Sequence, residues 1–359
     1  MSVPELRTVI GLMSGGSAKG VDAALLTTDG ESSIRHHGGI RLPYNEDLRA
    51  QLLEASQHNI SLDELLLLER EVTLHHVEAV FALQRQLGEV ASTATLIGFH
   101  GHTVRHLPQD GVTMQLGNPW LLAERTGKQV VSDFRRRDMA RGGRGLPLAS
   151  FFHQALFYDS FRPIAVLNLG GLTHLTWLGP DRSILAGDTG PGVGLLDEWV
   201  QEMAGLSHDN EGKLASQGKV HEDLVEEWLQ SEYFRKRLPK SADRYEFDHI
   251  DVSGLSVEDG AATLCSIIVR SIEQTIDKLP GPLGVLWVTG GGARHPLIMK
   301  LLRDRYAMLK TIDQRHLNPH TLEAECFAWL AVRSIKKLPL TIPETTGCSL
   351  PTTGGFVTP

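Results

Sequence analysis

The sequence predicts an α/β protein built from two similar domains. Three observations lead there. An apolar strand, a Gly-rich turn and a second strand open the chain at residues 8–29, and the same order returns at residues 163–179. Two further Gly-rich loops, ILAGDTGPG and VTGGGARHP, lie in the second half. Stretches with helical spacing separate these units. Weak duplication of this kind is what two α/β domains leave in one chain. The boundary is placed at residue 150: 1–150 form the N-terminal domain and 151–359 the C-terminal one, with the C-terminal tail able to pack back on the first.

Each element has its own signal. TVIGLM (8–13) is β-branched and apolar, SGGSAKG is a turn, and VDAALLTTD is a second strand. Residues 46–57 and 62–90 carry apolar residues at helical spacing. ATLIGFHGHTVRH reads as a buried strand running into a loop. PWLLAERTG is a short helix closed by Gly127, and KQVVSDF is a strand. PIAVLNLGGLTHLTWLG is strand, turn and strand. ILAGDTGPG then leads into the helix VGLLDEWVQEMA. A long helix is predicted over 257–279, and 283–302 is strand, Gly-rich loop and helix. AECFAWLAVRSIKK is the last helix. The tail from Leu338 is rich in Pro, Thr and Gly and is expected to be extended.

Composition narrows the function classes. The chain is 41% hydrophobic and 22% charged, with a net charge of −8. An acidic chain lacks the basic surface that nucleic-acid or anionic-membrane binding requires. Cys265, Cys326 and Cys348 are widely spaced and odd in number. They form neither a zinc spacing nor a disulfide framework, which points to a reducing compartment. No basic leader and no run of 18 apolar residues is read, so the expected location is the cytoplasm.

Five motifs carry candidate chemistry. In GLMSGGSAKGVDAALL, Lys19 is followed by Gly20 and then by a strand, so this is not a Walker A loop. A Gly-rich hairpin can still offer backbone N–H groups to a phosphate. In AGDTGPGVGLLDEW, Asp188 is placed between a strand and a helix start. Gly190 and Gly192 would let a ligand approach the backbone there, and the helix N-terminus favours an anion. An acid in that position suits general-base work, or equally an N-cap. VTGGGARHP suits a nucleotide passing close to the backbone. DFRRRDMARGGRG holds five arginines in thirteen residues, a pocket for an anion or a solvated face. In HGHTVRH, His100 and His102 would point to one side of a strand. With no nearby carboxylate or cysteine, hydrogen-bonding roles are expected over metal binding, and no metal site is assigned. Together the loops and the acid point to an ATP-dependent phosphotransferase of the actin–hexokinase type.

The motifs are then recognisable as a set. GLMSGGSAKGVD, GFHGHTVRH, DFRRRD…GGRGLPL, LNLGGLTHLT, GDTGPG, PKSADRYEF, VTGGGARHP and EAECFAWLA follow one another along essentially the whole chain. In that order they resemble the anhydro-N-acetylmuramic acid kinases of the sugar kinase/Hsp70/actin superfamily. The resemblance implies a two-domain actin-like fold with a central cleft. It implies opening of the 1,6-anhydro ring of anhydro-N-acetylmuramate with phosphorylation of O6, in peptidoglycan recycling. ATP and Mg2+ are the implied cofactors and a homodimer the implied assembly.

The resemblance also assigns residues. Asp188 falls on the catalytic aspartate. Thr103, Arg135 and Glu323 fall on the sugar side. Ser14, Gly15, Gly16, Ser17, Lys19, Gly20, Asp22, Gly170, Gly171, Thr189, Gly190, Gly192, Gly290, Gly291 and Gly292 fall on the nucleotide and its phosphates. Several positions depart from the family's pattern. Gly16 and Lys19 replace Thr and Asp of the opening loop, and His102 replaces Gln. His174 and Val193 each replace Asn, Leu146 replaces Ala, and Ala242–Asp243 replace Thr–Gly. These changes keep two other readings open: a weakened homologue that binds sugar or nucleotide and regulates, and a kinase for another anhydro sugar.

Overall fold

The computed structural model describes residues 5–242 and 246–359. Among these, the strands are β1 (Arg7–Ser14), β2 (Gly20–Thr28), β3 (Ile34–Pro43), β4 (Leu96–Leu107), β5 (Val112–Leu116), β6 (Gln129–Ser132), β7 (Ile164–Leu169), β8 (Leu172–Leu178), β9 (Ile184–Pro191), β10 (Val285–Thr289), β11 (Leu309–Thr311) and β12 (Phe356–Val357). The chain divides into two compact units. One holds Met1–Asp159, His320–Pro343 and Gly347–Pro359; the other holds Ser160–Pro319 and Glu344–Thr346.

The first unit is built on one sheet in the order β12-β6-β4-β1-β2-β3, with β5 paired to β4. β1, β2 and β3 form an antiparallel meander, whereas β4 runs parallel to β1 and β6 parallel to β4. The helix Leu62–Leu87 starts on a full capping box, in which the Ser61 hydroxyl takes the Glu64 N–H and the Glu64 carboxylate takes the Ser61 N–H. Its apolar stripe, including Leu68, Val72, Val80 and Leu83, joins the core with Ile10, Leu12, Leu25, Ile97 and Phe99. The helix Leu322–Ile335 lies directly on β1 and β4. A Cβ on Gly11 would stand 1.7 Å from the Ala324 carbonyl oxygen, and one on Gly98 would stand 2.0 Å from that of Phe327. Only glycine admits that approach.

The second unit repeats the plan. Its sheet runs β11-β10-β7-β8-β9, with β7, β8 and β9 as an antiparallel meander and β10 and β11 parallel to β7. The core includes Leu167, Leu175, Trp199, Ile267 and Val288, closed by the helix Val257–Ile276 with its Ser256 cap. A meander followed by parallel strands, occurring once per unit, is the duplicated topology expected of the actin-like fold. It also puts each unit's Gly-rich turns at the carboxyl ends of parallel strands, where open α/β sheets bind ligands.

Two readings of the sequence change here. Asp188 is not at a strand–helix junction and does not cap the helix. It lies inside β9, which continues to Pro191, and the helix begins only at Val193. The segment after GFH is not a loop either, because β4 runs unbroken to Leu107 and pairs with β5.

Candidate active site

In the second unit the site centres on Asp188, which is 0% exposed. β8 and β9 pair so that His174 stands opposite Asp188, after a register shift between Thr173 and His174. Directly opposed side chains on an antiparallel pair are in contact range, and here His174 Nδ1 donates to Asp188 Oδ1. The other carboxylate oxygen, Oδ2, accepts the Ser241 hydroxyl at 3.0 Å and the Ala242 N–H at 2.9 Å. The backbone is held as well. Asp188 N–H donates to the Lys240 carbonyl at 2.8 Å, and Tyr233 Oη–H donates to the Asp188 carbonyl at 3.3 Å. Three donors thus converge on this one buried carboxylate.

Lys240 runs beneath this arrangement. Its Nζ donates to the carbonyls of Thr189 and Tyr233, each at 3.3 Å, and sits 4.2 Å from the Tyr233 ring centroid. Burial lowers its pKa to about 7, assisted by the charge of Lys278 and opposed by that of Asp188.

The glycines beside Asp188 separate into two kinds. Gly190 is packed: a Cβ there would lie 2.7 Å from Ser271 Oγ. Gly192 is packed against the β7–β8 turn, with a Cβ position 2.1 Å from the Gly170 carbonyl oxygen. The N–H groups of Gly192 and Val193 donate to the Gly171 and Gly170 carbonyls, both at 2.9 Å, and Gly194 N–H donates to Gly171 at 3.2 Å. The start of that helix is thus capped by the turn, and these three amides are not open anion donors. Thr189 is buried with its hydroxyl on the Thr173 carbonyl. By contrast, Cβ positions on Gly171 and Gly291 meet nothing within 4 Å. Gly290, at φ +89°, and Gly292 are occupied by Asn168, Leu169 and Val193.

In the first unit, the opening turn shows the same contrast. Cβ positions on Gly15 and Gly16 meet nothing within 4 Å, while one on Gly20 would strike the Leu42 carbonyl at 2.3 Å. Ser17 and Lys19 are exposed. Ser14 is buried at the end of β1, where Tyr44 Oη–H donates to its Oγ at 2.9 Å and its hydroxyl meets His102 Nδ1 at 2.9 Å. Burial draws the His102 pKa down to about 4, so the ring is neutral. Asp22 is gripped by Arg41 through two bonds of 2.6 and 2.7 Å, and burial outweighs that pairing to raise its pKa.

Arg135 follows β6, and two of its nitrogens donate to His100 Nε2 at 3.0 and 2.8 Å while Nη1 donates to the Gly145 carbonyl at 2.7 Å. His100 Nδ1 bonds the Gly101 carbonyl, so its Nε2 is the bare acceptor, and burial holds its pKa well below the ordinary value. His100 and His102 therefore serve as hydrogen-bonding partners of Arg135 and Ser14. Among the described residues no group of three metal-ligating side chains occurs. Thr103 is half-buried on β4 with its Oγ1 accepting Gln115 Nε2 at 3.3 Å, and Glu323 is exposed in the first turn of the helix Leu322–Ile335. Asp243 lies outside the described residues. Ser241, Lys240 and Tyr233 were not singled out from sequence as partners of Asp188. Lys240 and Ser241 appeared only as members of the quoted PKSADRYEF motif, which carries no signal for a partner of Asp188.

The sequence profile of the family described as Anhydro-N-acetylmuramic acid kinase matches residues 7–359. The chain belongs to the anhydro-N-acetylmuramic acid kinase family. A relative of that name from Zymomonas mobilis is 41% identical over 361 residues, covering 97% of this chain and 98% of its own. One from Paramagnetospirillum magneticum is 42% identical over 350 residues, covering 96% and 98%. One from Rhizobium johnstonii is 39% identical over 366 residues, covering 98% of both. As an anhydro-N-acetylmuramic acid kinase family member, the chain is a phosphotransferase, and Asp188 is a fully buried acid held by three donors.

Proposed function

We propose that this protein uses ATP to phosphorylate 1,6-anhydro-N-acetylmuramic acid on O6 while water opens the anhydro ring, giving N-acetylmuramic acid 6-phosphate for peptidoglycan recycling. The observation that carries this reading is the buried Asp188 carboxylate, fixed by His174, Ser241 and Ala242 inside a chain that matches the family along its length. Asp188 supplies the negative charge that draws a proton from the attacking water. As the C1–O6 bond breaks, O6 takes the electron pair and attacks the γ-phosphate in line, and ADP leaves. Arg135, aimed by His100, pairs with the lactyl carboxylate through its guanidinium, and Thr103 and Glu323 take sugar hydroxyls. Each unit by itself offers open turns whose backbone N–H groups suit phosphate, Gly15–Gly16 with the exposed Lys19 in the first and Gly171 and Gly291 in the second.

ATP enters as its Mg2+ complex. The ion would be held chiefly by phosphate oxygens and water, as suits magnesium. The reaction belongs in the cytoplasm, where ATP is, and the three cysteines are unpaired; among the described residues no helix is long and apolar enough to cross a membrane. A homodimer completes the proposal. Leu62 and Leu66, exposed one turn apart on one helix, offer an apolar contact.

The test is direct. Purified protein with Mg2+, ATP and the anhydro sugar should yield a product heavier by one phosphate and one water, detected by mass. Asp188→Asn should lower that rate by about 10³-fold or more, the size of losing a general base. ATP consumption without that product would reject the assignment.

A further inference from the structure

The turn after β10 carries three glycines in a row, Gly290, Gly291 and Gly292. Glycine loses more backbone freedom on ordering than any other residue, so such a turn does not hold its own shape. Two internal bonds serve it. Ala293 N–H donates to the Gly290 carbonyl at 3.3 Å, and His295 N–H donates to that of Gly292 at 3.0 Å. The start of the turn is fixed by β10, which pairs with β7 and β11. Its end is fixed by the His295 side chain.

His295 is buried and bridges two elements. Its Nδ1 accepts the Ile298 N–H at 3.4 Å, at the start of the helix Pro296–Arg305. A ring nitrogen that accepts carries no proton, so the hydrogen of the neutral imidazole is on Nε2. Nε2 stands 3.3 Å from Asp209 Oδ2 and donates to it. Asp209 is buried as well, and its carboxylate also takes the Leu214 N–H at 2.9 Å and the Ala215 N–H at 3.0 Å. One acid thus gathers residues 209–215, and Ala215 sits in the core of the second unit. Gly212, at φ +65°, lies against the imidazole: a Cβ there would stand 3.2 Å from His295 Cε1. Cys265 Sγ, from the helix Val257–Ile276, lies 4.0 Å from Nε2.

We propose that Asp209 and His295 are positioning residues for the nucleotide, holding Gly290–Gly292 in the form to which ATP binds. This deepens the kinase reading and rests on its placement of nucleotide at this turn. Both side chains are buried, so they act through the turn and not by touching the ligand. With the tether cut, the turn visits other forms, and ATP affinity falls with the fraction of time spent in the competent one.

Two replacements separate the two bonds of His295. Asn puts an oxygen where Nδ1 stands, so it keeps the helix cap and loses the bridge to Asp209. Gln puts an amide N–H where Nε2 stands, so it keeps the bridge and loses the cap. We expect His295→Asn to melt near the wild-type temperature yet to bind Mg2+–ATP about tenfold more weakly by calorimetry. KM for ATP should rise with it, while kcat at saturating ATP changes far less. His295→Gln should melt lower and keep the wild-type affinity. Asp209→Asn should weaken ATP binding as His295→Asn does. Unchanged affinity in His295→Asn and Asp209→Asn, or affinity that only follows melting temperature across the three variants, overturns the proposal. Hydrogen exchange of the wild-type chain adds a check without variants: the Ala293 and His295 amides should be protected before ATP is added, and fast exchange there overturns it too. ATP binding without any phosphorylated sugar defeats the kinase reading alone, because calorimetry still reads the tether. A wild-type chain that binds no ATP defeats both.

Discussion

At the scale of residues, two glycines of one turn region illustrate how position decides chemistry. Gly192 has the Gly170 carbonyl where a side chain would begin, and Gly171 has open space. Gly192→Ala should therefore destabilise the second unit by several kcal/mol, as a clash with backbone cannot be relieved by a rotamer change. Gly171→Ala should melt at the wild-type temperature, and on the proposed reading should raise KM for ATP. Thermal melts and ATP titrations of the pair separate fold from binding. The sequence showed four Gly-rich loops without showing which glycines were already filled by protein, because that depends on chain segments far away. The same holds at Asp188. Its importance was legible from the motif around it. Its partners, 14 and 53 residues away, were not, because no spacing links a strand acid to a distant loop hydroxyl.

At the scale of elements, the helix Leu322–Ile335 depends on two glycines in strands it covers. Gly11→Ala would drive a methyl into the Ala324 carbonyl at 1.7 Å and should cost about 3 kcal/mol or more, or prevent folding. Equilibrium denaturation of Gly11→Ala beside an exposed control such as Gly254→Ala, whose Cβ position meets nothing within 4 Å, checks it. Periodicity made most helices and strands legible here, since their amphipathic faces and caps are local. The placement of Asp188 at a helix start failed because GDTGPG looks like a turn. In fact β9 carries those residues as an extended edge, and its pairing with β8 is a long-range choice. The loop ending VTGGGARHP hides another local device. His295 Nδ1 caps the helix Pro296–Arg305 at Ile298 N–H, and its Nε2 meets Asp209 at 3.3 Å.

At the scale of the whole molecule, pH acts through buried neutral histidines. Burial lowers the pKa of His76 to about 3 and of His102 to about 4. The unfolded chain takes up these protons near pH 6.5 and the folded chain does not. Their contribution is thus complete above pH 6.5 and is lost as pH falls toward 4 and below, at about 2 kcal/mol per histidine by pH 5. The melting temperature should drop between pH 7 and pH 5, and His76→Phe should flatten that slope by one proton. The duplicated plan was legible in the sequence as repeated strand–turn–strand units. The order of strands within each sheet was not, because pairing of β1 with β4 or β7 with β10 spans long separations.

The return of the chain at His320 to the unit that contains β1 sets an order of assembly during synthesis. A ribosome makes β1 among the first elements, but the helix that covers it and the strand β12 that pairs with β6 come last. Residues 160–319 are emitted as one uninterrupted stretch, so nearly all of the second unit, lacking only Glu344–Thr346, is made while the first still exposes the faces of β1 and β4. The N-terminal half of the nascent chain must wait, apolar and uncovered, for its own C-terminus. A premature stop a few codons short of Leu322 would leave it unfinished however much of the protein had been translated.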